Sequence, residues 1–392
     1  MKPDTALIHQ DYQPPGGFAS PQIPVYKASS VFFPNVQAMR ERQWLDKSGY
    51  TYGLHGTPTT FTLEERICQL EGARHAVLLP SGLAALAHVN LSLLNSGDEI
   101  LIPDNAYGPL KSLAEGELAH WGITHQYYDP MQPQDLAKRI GARTRLVWLE
   151  VPGSVTLEFP DLPALLSVCR SHQVLSALDN TWGAGIAFAP FDCMTDKQGA
   201  RGGVDLCVHA LTKYPSGGGD VLMGSVSTCS DELARTLKLS HMRLGWGISA
   251  NDAELVLRSL PSIAMRYQAQ DLSCRTVAQW CLQQPAFAQV LHPAIASSPG
   301  HGHWQHLCAA GQSSQATVHP GGAAAALLGL RFDPRFDPAQ IDTFCNALRL
   351  FKLGYSWAGP VSLAVPYALS SMRQYAPPAL LQGGYVRLAI GL

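Results

Sequence analysis

From about residue 62 onward, short apolar runs alternate with longer amphipathic stretches, as strands and helices do when they take turns along a chain. Thr62-Leu63-Glu64-Glu65 reads as a capping box, Leu63, Ile67 and Leu70 recur at helical spacing, and Gly72 stands where a C-cap glycine belongs. His75 to Leu79 is an apolar run closed by Pro80. Ser81-Gly82 then opens the helical stretch LAALAHVNLSLL, which stops at Asn95-Ser96-Gly97. Further strands are predicted near Glu99 to Ile102, Arg145 to Glu150, Val174 to Asp179, Asp205 to His209 and Val221 to Ser227. The pattern predicts an α/β fold, with a mostly parallel sheet flanked by helices on both faces.

Past residue 250 the character changes. Asn251-Asp252-Ala253-Glu254 can cap a helix, and helical periodicity runs on, broken at Pro261, toward Gln284. Strands are expected at Ala323 to Phe332 and near Tyr385 to Ile390, with a helix from about Pro338 to Phe351 between them. The expected division is an N-terminal arm over 1–60, a large domain over 61–250 and a small C-terminal domain over 251–392. The arm is rich in Pro, Gly and Tyr without clear periodicity, which suits a segment that wraps a neighbouring subunit.

A length of 392 residues is enough for two domains with their own cores. Hydrophobic residues make up 46% and charged residues 15%, which excludes a disordered chain. A formal net charge of -2 builds no broad positive field, so the expected partner is a small molecule rather than nucleic acid or a membrane. Nine cysteines without any C-x-x-C suit reduced thiols in the cytoplasm. No apolar h-region follows Lys2, and no run approaches the ~20 apolar residues that span a bilayer. Gly321 to Leu330, GGAAAALLGL, reads as a buried strand.

In parallel sheets ligands bind beyond the carboxyl ends of the strands, so the polar residues that follow the apolar runs are the candidates. Ser81-Gly82-Leu83 either simply caps a helix or offers free N–H groups to a phosphate. Asp179 either ends its strand in a solvated turn or pairs with a protonated ring nitrogen. Lys213, in His209-Ala210-Leu211-Thr212-Lys213-Tyr214, follows a buried-looking strand and precedes a glycine run; it is either a solvated charge or an amine able to form a Schiff base. Gly183-Ala184-Gly185 begins a dinucleotide fingerprint, but Phe188 occupies the third glycine's place and rules it out. His301, His303, His306 and Cys308 have metal-ligand types, yet they fall in what reads as a Gly-rich loop without a second cluster, so no metal is expected. Cys68 and Cys345 read as small core residues within helical patterns.

Nine motifs in order resemble the pyridoxal-phosphate enzymes of cysteine and methionine metabolism, the cystathionine lyase and synthase family. They are Tyr50-Thr51-Tyr52 with Gly56-Thr57-Pro58-Thr59, Leu70-Glu71-Gly72, Ser81-Gly82-Leu83-Ala84-Ala85, Asn105-Ala106-Tyr107, Glu150-Val151-Pro152-Gly153-Ser154, Asp179-Asn180-Thr181-Trp182, Thr212-Lys213-Tyr214, Tyr355-Ser356-Trp357 and Arg387-Leu388-Ala389-Ile390-Gly391. The resemblance implies fold type I, with a smaller α+β C-terminal domain, and pyridoxal 5'-phosphate as cofactor. It implies that Lys213 bonds the cofactor and acts as catalytic base, and that Asp179 pairs with the ring nitrogen. Tyr107 would stack on the ring and assist proton transfer. Gly82, Leu83 and Thr212 would hold the phosphate, with Tyr52 reaching it from a neighbouring subunit. Ser356, Trp357 and Arg387 would bind a small amino-acid substrate, Arg387 by clamping its α-carboxylate. The implied assembly is a homotetramer, a dimer of dimers with shared active sites.

Tyr355-Ser356-Trp357 and Ser154 are similar to the corresponding residues of bacterial cystathionine β-lyases, which favours β-elimination; a γ-lyase or γ-synthase, which shares this apparatus, and a catalytically impaired binding protein on the same fold are the alternatives. The sequence departs from the family at Leu54, where an arginine phosphate ligand is common, and at Val361, where glutamate is usual. It also ends at Leu392, where relatives generally run on.

Overall fold

In a computed structural model of the chain, residues 20–195, 199, 201–308 and 321–392 are described; the first 19 residues of the expected arm lie outside that set. The large sheet is built from β1 (His75–Leu79), β2 (Glu99–Pro103), β3 (Thr124–Tyr128), β4 (Thr144–Glu150) and β5 (Leu175–Asp179), together with β8 (Leu206–His209) and β9 (Gly224–Thr228). A two-stranded ribbon of β6 (Met194–Thr195) and β7 (Arg201–Gly202) lies between β5 and β8 in the chain. The order across the large sheet is β1-β9-β8-β5-β4-β2-β3. Only β9 runs against its neighbours, pairing antiparallel with both β1 and β8. The carboxyl ends of β1, β2, β4, β5 and β8 therefore share one rim.

The strands alternate between two buried faces. On β4, Val147 and Leu149 enter one apolar cluster while Leu146 and Trp148 enter the other; β1 does the same with Ala76 and Leu78 against Val77 and Leu79. Both faces being covered explains why these strands read as continuous apolar runs. The first cluster continues through Leu327, Leu328, Leu330, Val386 and Leu388 into a second sheet. That sheet is made of β10 (Phe287–Leu291), β11 (Leu327–Phe332), β12 (Lys352–Leu353), β13 (Leu363–Tyr367) and β14 (Tyr385–Ala389), in the order β10-β11-β14-β13-β12.

Several expectations are corrected. The helix expected to start at Thr62 runs from Pro58 to Glu71: Thr57 and Thr60 cap each other reciprocally, Thr60 taking the place a Glu or Gln usually fills. Its end is where the sequence put it, with Gly72 left-handed at φ +75°. The stretch 221–227 is strand only from Gly224, because Met223 exchanges backbone and side-chain hydrogen bonds with Thr212 instead. His301–Cys308 is a helix, not a loop, with Trp304, Leu307 and Cys308 buried. Of the run 321–332, only Leu327–Phe332 is strand, and the helix expected to reach Phe351 stops at Ala347. Strands β3, β6, β7, β10, β12 and β13 are additional to the expected set. All nine cysteines are free thiols. Among the described residues no helix is long and apolar enough to cross a membrane, and no His, Cys, Asp or Glu cluster could hold a metal.

Candidate active site

Above the shared rim lies a cavity of about 420 Å³, roofed by residues from the second sheet. Gly82, Leu83, Tyr107, Asp179, Thr212 and Lys213 line it from the large sheet; Ser356, Trp357 and Arg387 line it from the opposite side. Tyr52 is not part of its wall. It is 45% exposed and bridges to Ser30 in the arm.

Gly82, Leu83, Asp179 and Lys213 stand at or just beyond the ends of elements, whereas Arg387 lies within β14. Ser81 caps the helix Gly82–Leu93, its hydroxyl accepting the Ala84 N–H at 3.0 Å, while Ala85 closes the first turn on Ser81 O. The orphan N–H groups of Gly82 and Leu83 then remain at the cavity, at the positive end of a three-turn helix. A Cβ on Gly82 would lie 2.6 Å from the Ala210 Cβ, so only glycine lets the helix start this close to the chain leading to Lys213.

Asp179 ends β5. Its Oδ1 accepts the Thr181 N–H at 3.0 Å and the Thr181 hydroxyl at 2.5 Å. Burial pushes its pKa up, opposed by these bonds and by His209 and Lys213. His209, at the end of β8, meets Glu71 at 2.9 Å in a fully buried pair beneath the rim.

Lys213 donates from Nζ to Ser356 Oγ at 2.6 Å and lies 5.5 Å from the Trp357 ring centroid. Burial first, and then the Arg387 guanidinium, lower its pKa to about 8 against the pull of Asp179. The amine is thus partly neutral near pH 8, as a nucleophile or base must be. Ser356 has φ +89°, a strained conformation for a residue with a side chain. Arg387 Nη2 donates to the Ser356 carbonyl at 3.3 Å, and the arginine is 6% exposed. Its buried Nε has no hydrogen-bond partner among the described residues, an unmet donor that a carboxylate would satisfy.

Residue type and spacing did not mark Glu150 or Thr181 as site residues, although both stand in motifs that carry the family resemblance, and both line the cavity. Nor did they mark Tyr367 and Met372, which also line the cavity. Glu150 ends β4 directly opposite Asp179 in register, and its Oε2 accepts the Tyr107 N–H at 2.7 Å. Met372 is held through its carbonyl by Lys111, 2.7 Å away, whose Nζ also reaches Asp104. Asp104 in turn binds Arg373, Gln374 N and Tyr375 N. Only the tertiary arrangement brings this segment to the rim.

The residues present fit pyridoxal phosphate: free N–H groups at a helix N-terminus, a carboxyl at the rim, an amine of lowered pKa, and an unmet arginine donor. Comparisons with known proteins agree. The family described as Cys/Met metabolism PLP-dependent enzyme matches residues 4–392. The chain is 34% identical over 398 residues to cystathionine β-lyase of Bordetella avium, covering 99% of this chain and 93% of that one. It is 28% identical over 396 residues to cystathionine β-lyase MetC of Escherichia coli, covering 100% and 94%. The crystal structure of cystathionine γ-synthase from Xanthomonas oryzae superposes with a TM-score of 0.83 at 24% identity, covering 100% and 94%, a likeness of fold. The chain belongs to the Cys/Met metabolism PLP-dependent enzyme family, of fold type I, and its cofactor is pyridoxal 5'-phosphate.

Proposed function

We propose that this member of the PLP-dependent Cys/Met metabolism family is a carbon-sulfur lyase that cleaves L-cystathionine by β-elimination to homocysteine, pyruvate and ammonia, with cysteine S-conjugates as further substrates. The observation that carries the reading is the Lys213 amine, lowered to about 8 and held 2.6 Å from Ser356 Oγ between Asp179 and Arg387 in one cavity. The relatives named cystathionine β-lyase in Bordetella avium and Escherichia coli support the choice of reaction.

In this reading the Gly82 and Leu83 N–H groups and the Thr212 hydroxyl hold the phosphate, Tyr52 of a neighbouring subunit reaches it, Asp179 pairs with the ring nitrogen and Tyr107 covers the ring face. Thr212 must then release the hydroxyl bond it makes to Met223 O at 3.2 Å. Bound pyridoxal phosphate supplies an electron sink for negative charge at the substrate's α-carbon. Arg387 fixes the α-carboxylate as a bidentate fork, while Ser356 and Trp357 close the opposite wall. Lys213 Nζ takes the α-proton. Tyr107, whose hydroxyl is kept protonated by burial and by the neighbouring Asp179 and Glu150, donates a proton to the departing thiolate.

The reading extends to the assembly: a homotetramer in the cytoplasm, built from dimers that share their sites. The exposed Tyr52 outside its own cavity supports sharing, and nine free thiols suit a reducing compartment. We read 61–250 as the cofactor-binding domain and 251–392 as the small domain, the two sheets falling on either side of that boundary. Incubating the holoenzyme with cystathionine and identifying the 2-oxo acid tests the reaction: pyruvate is expected, and 2-oxobutyrate would overturn it.

A further inference from the structure

Glu150 stands at the carboxyl end of β4, in register with Asp179 on β5, and it faces the cavity. Its closest described bond is to a residue of a third segment, the loop after β2, through the Tyr107 N–H at 2.7 Å. Tyr107 is 41% exposed, and among the described residues its hydroxyl makes no hydrogen bond. No side-chain hydrogen bond among the described residues orients the ring, so the bonds of its backbone help to set where it stands. Other backbone bonds hold the segment around it: the Tyr107 carbonyl accepts from Leu110 N, Ala106 N donates to the Pro103 carbonyl, and the Asn105 carbonyl accepts from Ser154 N, each at 2.9 Å.

We propose that Glu150 is a positioning residue for the cofactor ring: by accepting the Tyr107 N–H from the end of β4, it fixes the tyrosine over the ring face while its neighbour Asp179 meets the ring nitrogen. This rests on the reading of Tyr107 and Asp179 given above. A carboxyl in this place need not be ionised to act. Burial and the adjacent Asp179 push the Glu150 pKa well up, and a neutral carboxyl still accepts an N–H through its carbonyl oxygen. Glutamine offers the same acceptor at the same length; alanine offers none.

The test uses purified full-length protein stripped of cofactor and titrated with pyridoxal phosphate, reading the dissociation constant and the visible circular dichroism of the bound cofactor. Glu150→Gln is expected to keep affinity within about twofold of wild type. Glu150→Ala is expected to weaken it about tenfold and to diminish the dichroic band, which reports how the ring is held. The loss should shrink when Glu150→Ala is made in a Tyr107→Ala background, since the two residues act as a unit. A tenfold loss in Glu150→Gln, or an undiminished Glu150→Ala loss in that background, would overturn the proposal. If Glu150→Ala does not fold, the Gln variant alone decides by the same twofold and tenfold limits. Cofactor affinity is read without turnover, so a failure here is distinct from finding 2-oxobutyrate as product.

Discussion

The amine of Lys213 sits in an environment far from the solvated charge its type suggests. Its charged form is disfavoured in the folded chain, so its pKa falls from 10.5 to about 8. The unfolded chain then binds the extra proton between those two values, and this group adds stability to the cofactor-free protein as pH rises from about 8 toward 10.5. Capture of the cofactor aldehyde needs the neutral amine. Its rate, followed by absorbance after mixing apoprotein with pyridoxal phosphate, should rise about tenfold per pH unit below 8 and level off above. A rate flat from pH 6 to 9 would refute the assignment. At Arg387, the unmet buried Nε supports the proposed carboxylate clamp. Arg387→Ala should raise KM about 10- to 100-fold, the worth of hydrogen bonds to a charged group, with cofactor affinity unchanged in an absorbance titration. Lys213 and Asp179 stood out in the sequence because each follows or ends an apolar strand, whereas Arg387, in the middle of β14, stood out only through its motif. Glu150 also closes an apolar strand, but its bond to the Tyr107 N–H joins two segments far apart in the chain, which residue spacing does not reveal.

At the scale of elements, the start of the helix Gly82–Leu93 against the turn at Ala210 brings its free N–H groups near the lysine. Gly82→Ala forces a methyl to within 2.6 Å of another, and overpacking of that kind costs about 1–3 kcal/mol. Cofactor affinity should fall about tenfold by equilibrium titration, and Ala210→Gly added to Gly82→Ala should restore most of it by vacating the contact. No restoration would mean that the glycine serves the ligand directly. The central strands were legible because both their faces are buried. The edge strand β3, THQYY, was not, since one side of it is exposed and its residues are mostly polar. Strand β13 hides behind Pro366, a residue that argues against a paired strand; here it lies beyond Leu363 and Ala364, where the short β12 no longer pairs. The helix His301–Cys308 was obscured by Gly302 and overridden by the burial of Trp304.

For the whole molecule, the two cations in the cavity wall are Lys213 and Arg387, and Leu54 lies elsewhere, beside His55 and Trp44 in a separate cleft. If a neighbouring subunit's Tyr52 completes the phosphate site, a Tyr52→Ala chain mixed with a Lys213→Ala chain should regain activity. Random reassortment would restore about a quarter of the sites, measured as product formed before and after the subunits exchange. No gain on mixing would confine each site to one chain. The α/β class, the mostly parallel sheet and the cofactor family were determined by sequence alone, because apolar periodicity and local turn chemistry act over a few residues and nine short motifs keep their order. The tertiary structure alone decided that Glu150 stands beside Asp179, that Met372 reaches the rim through Asp104 and Lys111, and that the Lys213 amine titrates near 8. Those outcomes depend on which distant groups become neighbours and how much water is left between them, and neither is written in the spacing of residues along the chain.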